Sequence, residues 1–137
     1  QRHGIAERLH WPGMIARDVK WGAVYGCEAL VLASHHENFG MVVAEAMACA
    51  RPVLITDRVN IHPAVASAGA GLVVHDNVEA FEDGLRCLLA LTDDERAVMG
   101  QRGAALFRAE YDIGDVSARL IAILERARGG IDIRRTP

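Results

Sequence analysis

The sequence predicts an α/β fold built on a parallel sheet with helices on both faces, and three observations carry that expectation. Short apolar runs alternate with helical stretches through the first half of the chain. Those runs are apolar almost without interruption, as strands covered on both faces are. After the third run the pattern becomes wholly helical.

Taken in order, Gln1-Arg2-His3-Gly4 reads as the last turn of a helix with its glycine stop, so the chain is expected to open inside a domain. Strands are expected at 27–33, 52–56 and 71–74, the last entered through Gly69-Ala70-Gly71. Helices are expected at 17–25, 39–49 and 61–68 between them. Residues 78–91 carry apolar side chains at 78, 81, 85, 88 and 89, a one-sided stripe. Thr92-Asp93-Asp94-Glu95 is a capping box, which starts a helix running to about residue 110. A last helix over 113–128 places Val116, Leu120, Ile121 and Leu124 on one face, with Gly129-Gly130 as its stop and 131–137 as a frayed tail.

The chain has 137 residues, enough for one domain with a real core. Its 51% apolar and 24% charged composition is that of an ordinary soluble domain. A net charge of −3 offers no basic field for nucleic acid or an anionic membrane. No apolar run approaches the roughly 20 residues of a membrane span. Cys27, Cys49 and Cys87 each sit in an apolar run without CxxC spacing, which reads as buried, reduced thiols of a cytoplasmic protein.

The chemistry concentrates in Ser34-His35-His36-Glu37-Asn38-Phe39-Gly40-Met41-Val42-Val43-Ala44-Glu45. One carboxylate precedes a helix and the other lies within it, with a Phe-Gly turn between. Orphan amides at a helix start, at the carboxyl end of a parallel strand, suit an anion. Eight helical positions would span about 12 Å, comparable to the reach from a sugar ring across a diphosphate to a ribose. Carboxylates accept hydrogen bonds from hydroxyls. The pattern points to a ligand with a polyol at each end and phosphate between.

Glu37-x7-Glu45 enclosing Asn38-Phe39-Gly40, followed by Ala46-Met47-Ala48-Cys49-Ala50-Arg51-Pro52-Val53, resembles the donor motif of retaining family-4 glycosyltransferases of the GT-B fold. The likeness runs from about residue 5 to residue 123. It implies a Rossmann-like donor domain over 1–128 with a tail at 129–137, and a nucleotide-sugar donor as substrate with no metal or other cofactor. It also implies that Glu45 holds the ribose hydroxyls and that Glu37, the catalytic residue of the set, contacts the transferred sugar. The amides of Phe39, Gly40 and Met41, with Asn38 in the same turn, would face sugar and diphosphate. Ile15 falls where the base is bonded through the main chain, and Lys20 where a side chain lies against it. Ala50 departs from the family's usual glycine, and Val59-Asn60-Ile61-His62-Pro63 replaces its Gly-Gly turn.

The same resemblance places the family's acceptor domain and diphosphate-binding Arg and Lys ahead of residue 1. The chain is therefore expected to bind donor without transferring sugar, and any peripheral membrane contact would come through that acceptor domain. The first strand is expected to present an open apolar edge, with residues 1–15 irregular or paired to it out of order, or with self-association closing it. Other expectations are structural. His35 and His36 line the cleft without a metal, Met41 and Met47 pack the core, and Arg51 is a surface cation. His62 and His75 are loop residues, and Arg126, Arg128, Arg134 and Arg135 form a solvated face. Two alternatives accompany the transferase reading: a non-catalytic nucleotide- or sugar-binding module, and a GT-B sugar-nucleotide epimerase, against which the Asn-Phe-Gly turn argues.

Overall fold

The computed structural model describes residues 4–130. Three parallel strands, β1 (Leu30–Leu32), β2 (Val53–Thr56) and β3 (Gly71–Val74), form one sheet in the order β1-β2-β3. Leu30 lies opposite Val53, and Leu54 opposite Leu72. Helix α1 (Arg17–Gly26) precedes β1, α2 (Met41–Ala48) joins β1 to β2, and α3 (His62–Ala68) joins β2 to β3. Helices α4 (Val78–Ala90), α5 (Asp93–Glu110) and α6 (Ile113–Gly130) follow. The predicted α/β architecture is present, with both crossovers where the apolar pattern placed them.

Strand β2 is fully buried along its length, as its unbroken apolar run requires. Val53 and Ile55 point into a core with Val43, Met47, Ile61 and Val65 from α2, α3 and the loop between β2 and α3. Helix α5 closes that face through Gly100, Gly103 and Ala104, a small-residue stripe at helical spacing. A Cβ on Gly100 would overlap the carbonyl oxygen of Ala50, so only glycine allows this approach. Leu54 turns to the opposite face, where it meets α4 at Gly84.

Local signals account for the ends. Thr92 and Glu95 form the predicted capping box. Asn77 caps α4 by accepting from the Ala80 amide at 2.8 Å. Gly69 ends α3 in the left-handed conformation, φ 62°.

Several expectations are corrected. Strand β1 is shorter than 27–33, because the Cys27 amide still donates to Ala23 O and closes α1. Helix α2 begins at Met41 rather than 39, because Gly40 at φ 81° breaks the helical path. Helix α6 includes Gly129 and Gly130, two residues past the expected end at 128. Of the α4 stripe only Leu88 is buried, with Gly84 beside it, whereas Val78 and Leu89 face solvent. Met47 is fully buried but Met41 is 64% exposed, because it starts α2 on its outer side. Cys49 is buried and Cys27 half-buried, while Cys87 is exposed on the outer surface of α4. His62 is no loop residue but the first residue of α3, its Nδ1 3.0 Å from Val59 O. Arg51 is half-buried rather than a free surface cation, and its Nε is buried without a partner among the described residues.

Residues 4–16 contain one short 3-10 turn, Ala6–Arg8, and no strand, so the irregular alternative holds and none of them pairs with β1. Among the described residues β1 is bonded on one side only and is the apolar edge expected. The α6 stripe is exposed, with Val116 at 38% and Leu124 at 58%. The helical reading of residues 1–3 and the frayed tail at 131–137, with Arg134 and Arg135, lie outside the described residues.

Candidate functional site

The candidate site lies where β1 leaves the sheet and α2 begins. Past β1 the chain keeps its alignment with the segment after β2 through a parallel bridge, Glu37 to Val59. The Glu37 amide donates to Arg58 O at 3.1 Å, and Glu37 O accepts from the Asn60 amide at 3.1 Å. Val59 is fully buried beneath this bridge, so the loop carrying Glu37 is pinned to the core. The Val59-Asn60-Ile61 departure thus has a structural role of its own.

From Glu37 the chain turns through Asn38, Phe39 and Gly40. A side chain at position 40 is disfavoured twice: φ is 81°, and a Cβ would stand 2.8 Å from Val59 Cγ1. Helix α2 then starts with the Val43 and Ala44 amides bonded to Gly40 O. Among the described residues nothing accepts from the Met41 or Val42 amides, leaving the donor pair that makes a helix start attractive to anions. The Gly40 amide donates to Glu37 Oε1 at a long 3.3 Å. Phe39 packs edge-to-face on Tyr111 from the end of α5, with ring centroids 5.6 Å apart. Burial holds the Tyr111 phenol above its ordinary pKa, with the Glu110 charge adding to it.

Glu45, one turn into α2, is half-buried on the outer side. Lys20 reaches across from α1, and its ammonium donates to Glu45 Oε1 at 2.6 Å. The same ammonium lies 4.4 Å from the centre of the Trp21 ring. Phe39, Met41, Glu45, Trp21, Tyr111 and Val116 line a groove of about 650 Å³ beside α2. Ile15 is half-buried in the segment leading into α1.

Behind the turn, the strand ends are tied by a polar network. Thr56 Oγ1 donates to Ser34 O at 2.5 Å, His75 Nδ1 lies 2.9 Å from Asp57 Oδ2, and His35 Nδ1 lies 2.7 Å from Asp76 Oδ1. The His75 hydrogen bond holds the Asp57 carboxyl below its ordinary pKa, with the Asp76 amide and the Arg58 charge helping. His35 lines a separate cavity of about 470 Å³ with Thr56, Asp76 and Phe81. Among the described residues no three His, Cys, Asp or Glu side chains gather in a metal-ligating group. No described helix is long and apolar enough to cross a membrane.

The structure therefore brings Glu37, Asn38, Phe39, Gly40 and Met41 into one turn, and Lys20 and Glu45 into one ion pair. Sequence reasoning missed three supporting contacts: the Val59 bridge, the Tyr111 ring and the Lys20–Glu45 pair. All three join segments far apart in the chain, for which no local motif exists.

The glycosyl transferases group 1 family profile matches residues 1–105. The chain belongs to this family. It is 29% identical over 129 residues to a D-inositol 3-phosphate glycosyltransferase of Jonesia denitrificans, covering 93% of this chain and 30% of that protein. A D-inositol 3-phosphate glycosyltransferase of Mycobacterium leprae is 29% identical over 109 residues, 79% of this chain and 26% of that one. This chain thus spans less than a third of the relatives it matches. Among solved structures, sucrose-phosphate synthase from Thermosynechococcus elongatus superposes with a TM-score of 0.80 at 21% identity, over 93% of this chain and 32% of that chain. The C-terminal domain of a glycosyl transferase group 1 family protein (LpcC) from Francisella tularensis gives 0.61 at 28%, over 74% and 52%. The α/β fold is that of a GT-B glycosyltransferase domain.

Proposed function

We propose that this chain is the nucleotide-sugar donor-binding part of a cytoplasmic glycosyltransferase that transfers with retention of configuration. Residues 1–128 form that part. The observation that carries the reading is the start of α2: free Met41 and Val42 amides flanked by two carboxylates, Glu37 on the pinned loop and Glu45 on the helix. The amides take the diphosphate or the sugar beside it. Glu45 takes the ribose hydroxyls, and Glu37 takes hydroxyls of the transferred sugar by releasing its long bond to the Gly40 amide. Ile15 bonds the base through its main chain.

The site takes its ligand without a metal ion, because the loop offers no second carboxylate beside Glu37 to hold one against a diphosphate. Acceptor recognition and the cations that neutralise the diphosphate are assigned to protein outside these residues, so residues 1–137 alone bind donor and transfer nothing. Mass spectrometry of the full-length gene product, incubated with a panel of nucleotide sugars and EDTA, tests this. A glycosylated product whose anomeric configuration, read by NMR, matches that of the donor supports the reading. Failure to bind any nucleotide sugar, or binding restored only by Mg²⁺, overturns it.

A further inference from the structure

The Lys20–Glu45 pair carries an inference beyond donor binding as such, although it rests on that reading. An ammonium that donates to a carboxylate at 2.6 Å and lies 4.4 Å from an aromatic centre already has two partners inside the protein. It is committed, and its side chain is one-third exposed against 23% for Glu45. The pair is only partly exposed, so it is screened less than a fully solvated one, and it orients the carboxylate more than it stabilises the fold.

The geometry is selective about which oxygen it uses. Lys20 engages Oε1, and among the described residues nothing bonds Oε2. An ionised carboxylate offers about four lone-pair sites, so roughly three remain after one ammonium contact. That is enough for the two hydroxyls of a vicinal diol. Without Lys20, Glu45 faces the groove it lines with Ala44, Ala48 and Trp21, and no other described residue bonds its carboxylate. A carboxylate free to turn must be ordered when the ligand arrives, and that ordering lowers affinity.

We propose that Lys20 is the positioning residue of Glu45, fixing the carboxylate plane so that Oε2 meets a vicinal diol of the bound nucleotide, rather than a residue that lies against the base. The two roles leave different signatures. A base contact contributes equally to a nucleotide with and without its ribose hydroxyls. A positioning role contributes only when the hydroxyls are there.

The test is calorimetry on the full-length protein with UDP, ADP and GDP, each compared with its 2′,3′-dideoxy form. For whichever base binds, the wild type should hold the ribose form about 10-fold or more tighter than the dideoxy form, the scale of hydrogen bonds to a charged group. Lys20→Met should weaken the ribose form and leave the dideoxy form unchanged, so that discrimination collapses. Lys20→Arg should restore part of it, and in a Glu45→Gln background Lys20→Met should have no further effect. If Lys20→Met does not fold, Lys20→Gln carries the same comparison. Equal weakening of both forms overturns the positioning role, as does unaltered discrimination. A wild type that binds nucleotides without discriminating, or binds none, instead overturns the ribose assignment of Glu45 and the donor reading beneath it.

Discussion

The two ends of α2 lie within one short helix yet answer to different demands. At its C-terminal end Ala46 and Met47 are fully buried, Cys49 is nearly so, and the Cys49, Ala50 and Arg51 amides all find carbonyl partners. Gly100 of α5 packs directly on the Ala50 carbonyl. Toward its N-terminal end Met41 faces solvent and two amides lack partners among the described residues, and at mid-helix Glu45 is held on the groove side by one charged contact. Packing and satisfied hydrogen bonds make the first end a source of stability. Unsatisfied donors make the second a place for a ligand. A mutation should move stability or binding according to the end it touches.

The largest effect is expected at the packed end. Met47→Ala removes a fully buried side chain packed against Gly103, and should destabilise by about 2–5 kcal/mol. Hydrogen exchange of the α2 and β2 amides in the full-length protein would read this as lost protection. Nucleotide affinity of the folded fraction should stay unchanged. A changed affinity with unchanged protection would break the division between the two ends.

Next in size is Glu45→Ala at the open end, which should weaken nucleotide-sugar binding by about 1.5–3 kcal/mol. Its cost in stability should be under about 1 kcal/mol, because the ion pair it removes is partly exposed. Calorimetry and thermal melting together separate the two. Unchanged affinity would end the ribose assignment.

This division also explains what could be read from the chain. The strands, crossovers and capping box were legible because each is a local pattern: an unbroken apolar run, a Thr-x-x-Glu, a glycine after a helix. The Glu37–Glu45 turn was legible because its spacing and flanks recur in a family. What could not be read depends on segments meeting in space. Gly100 and Gly103 carry no apolar signal, yet they bring α5 onto α2. The pattern of α4 overstated its buried face, because apolar spacing does not say how much of a stripe a three-stranded sheet will cover. Lys20 was read against a ligand because its partner lies 25 residues away.

A smaller effect concerns the strand ends behind the open end of α2. The Asp57 carboxyl titrates below its ordinary value because of His75. A carboxylate whose pKa is depressed by folding stabilises the fold fully above the unfolded value, near 3.9, and loses that contribution as pH falls through the folded value. Melting temperatures of the wild type and Asp57→Asn should therefore differ near pH 5 and converge as the solution becomes more acidic. A difference that instead grew on acidification would show that Asp57 is not stabilised as its carboxylate.

The smallest effect has the opposite sign and returns to the packed end. Ala50 closes α2 at φ 54°, a left-handed conformation that carries a penalty for any residue with a Cβ. Neighbouring contacts hold it there: the Ala50 amide donates to Met47 O at 2.9 Å, and the Arg51 amide to Ala46 O at 2.9 Å. This is a helix exit of the kind glycine normally fills. Ala50→Gly removes the Cβ penalty of about 1–2 kcal/mol. It also returns about 0.4–1 kcal/mol of chain entropy to the unfolded state. A net gain of about 0–1.6 kcal/mol remains, readable as a small rise in melting temperature. Because the Ala50 carbonyl and its contact with Gly100 involve backbone alone, the packing of α5 should survive the exchange. Nucleotide affinity should not change, since the substitution lies at the end of α2 opposite the free amides. A stabilised protein with altered affinity would mean that strain at the exit of α2 is transmitted to its start, and the two ends would have to be treated as one unit.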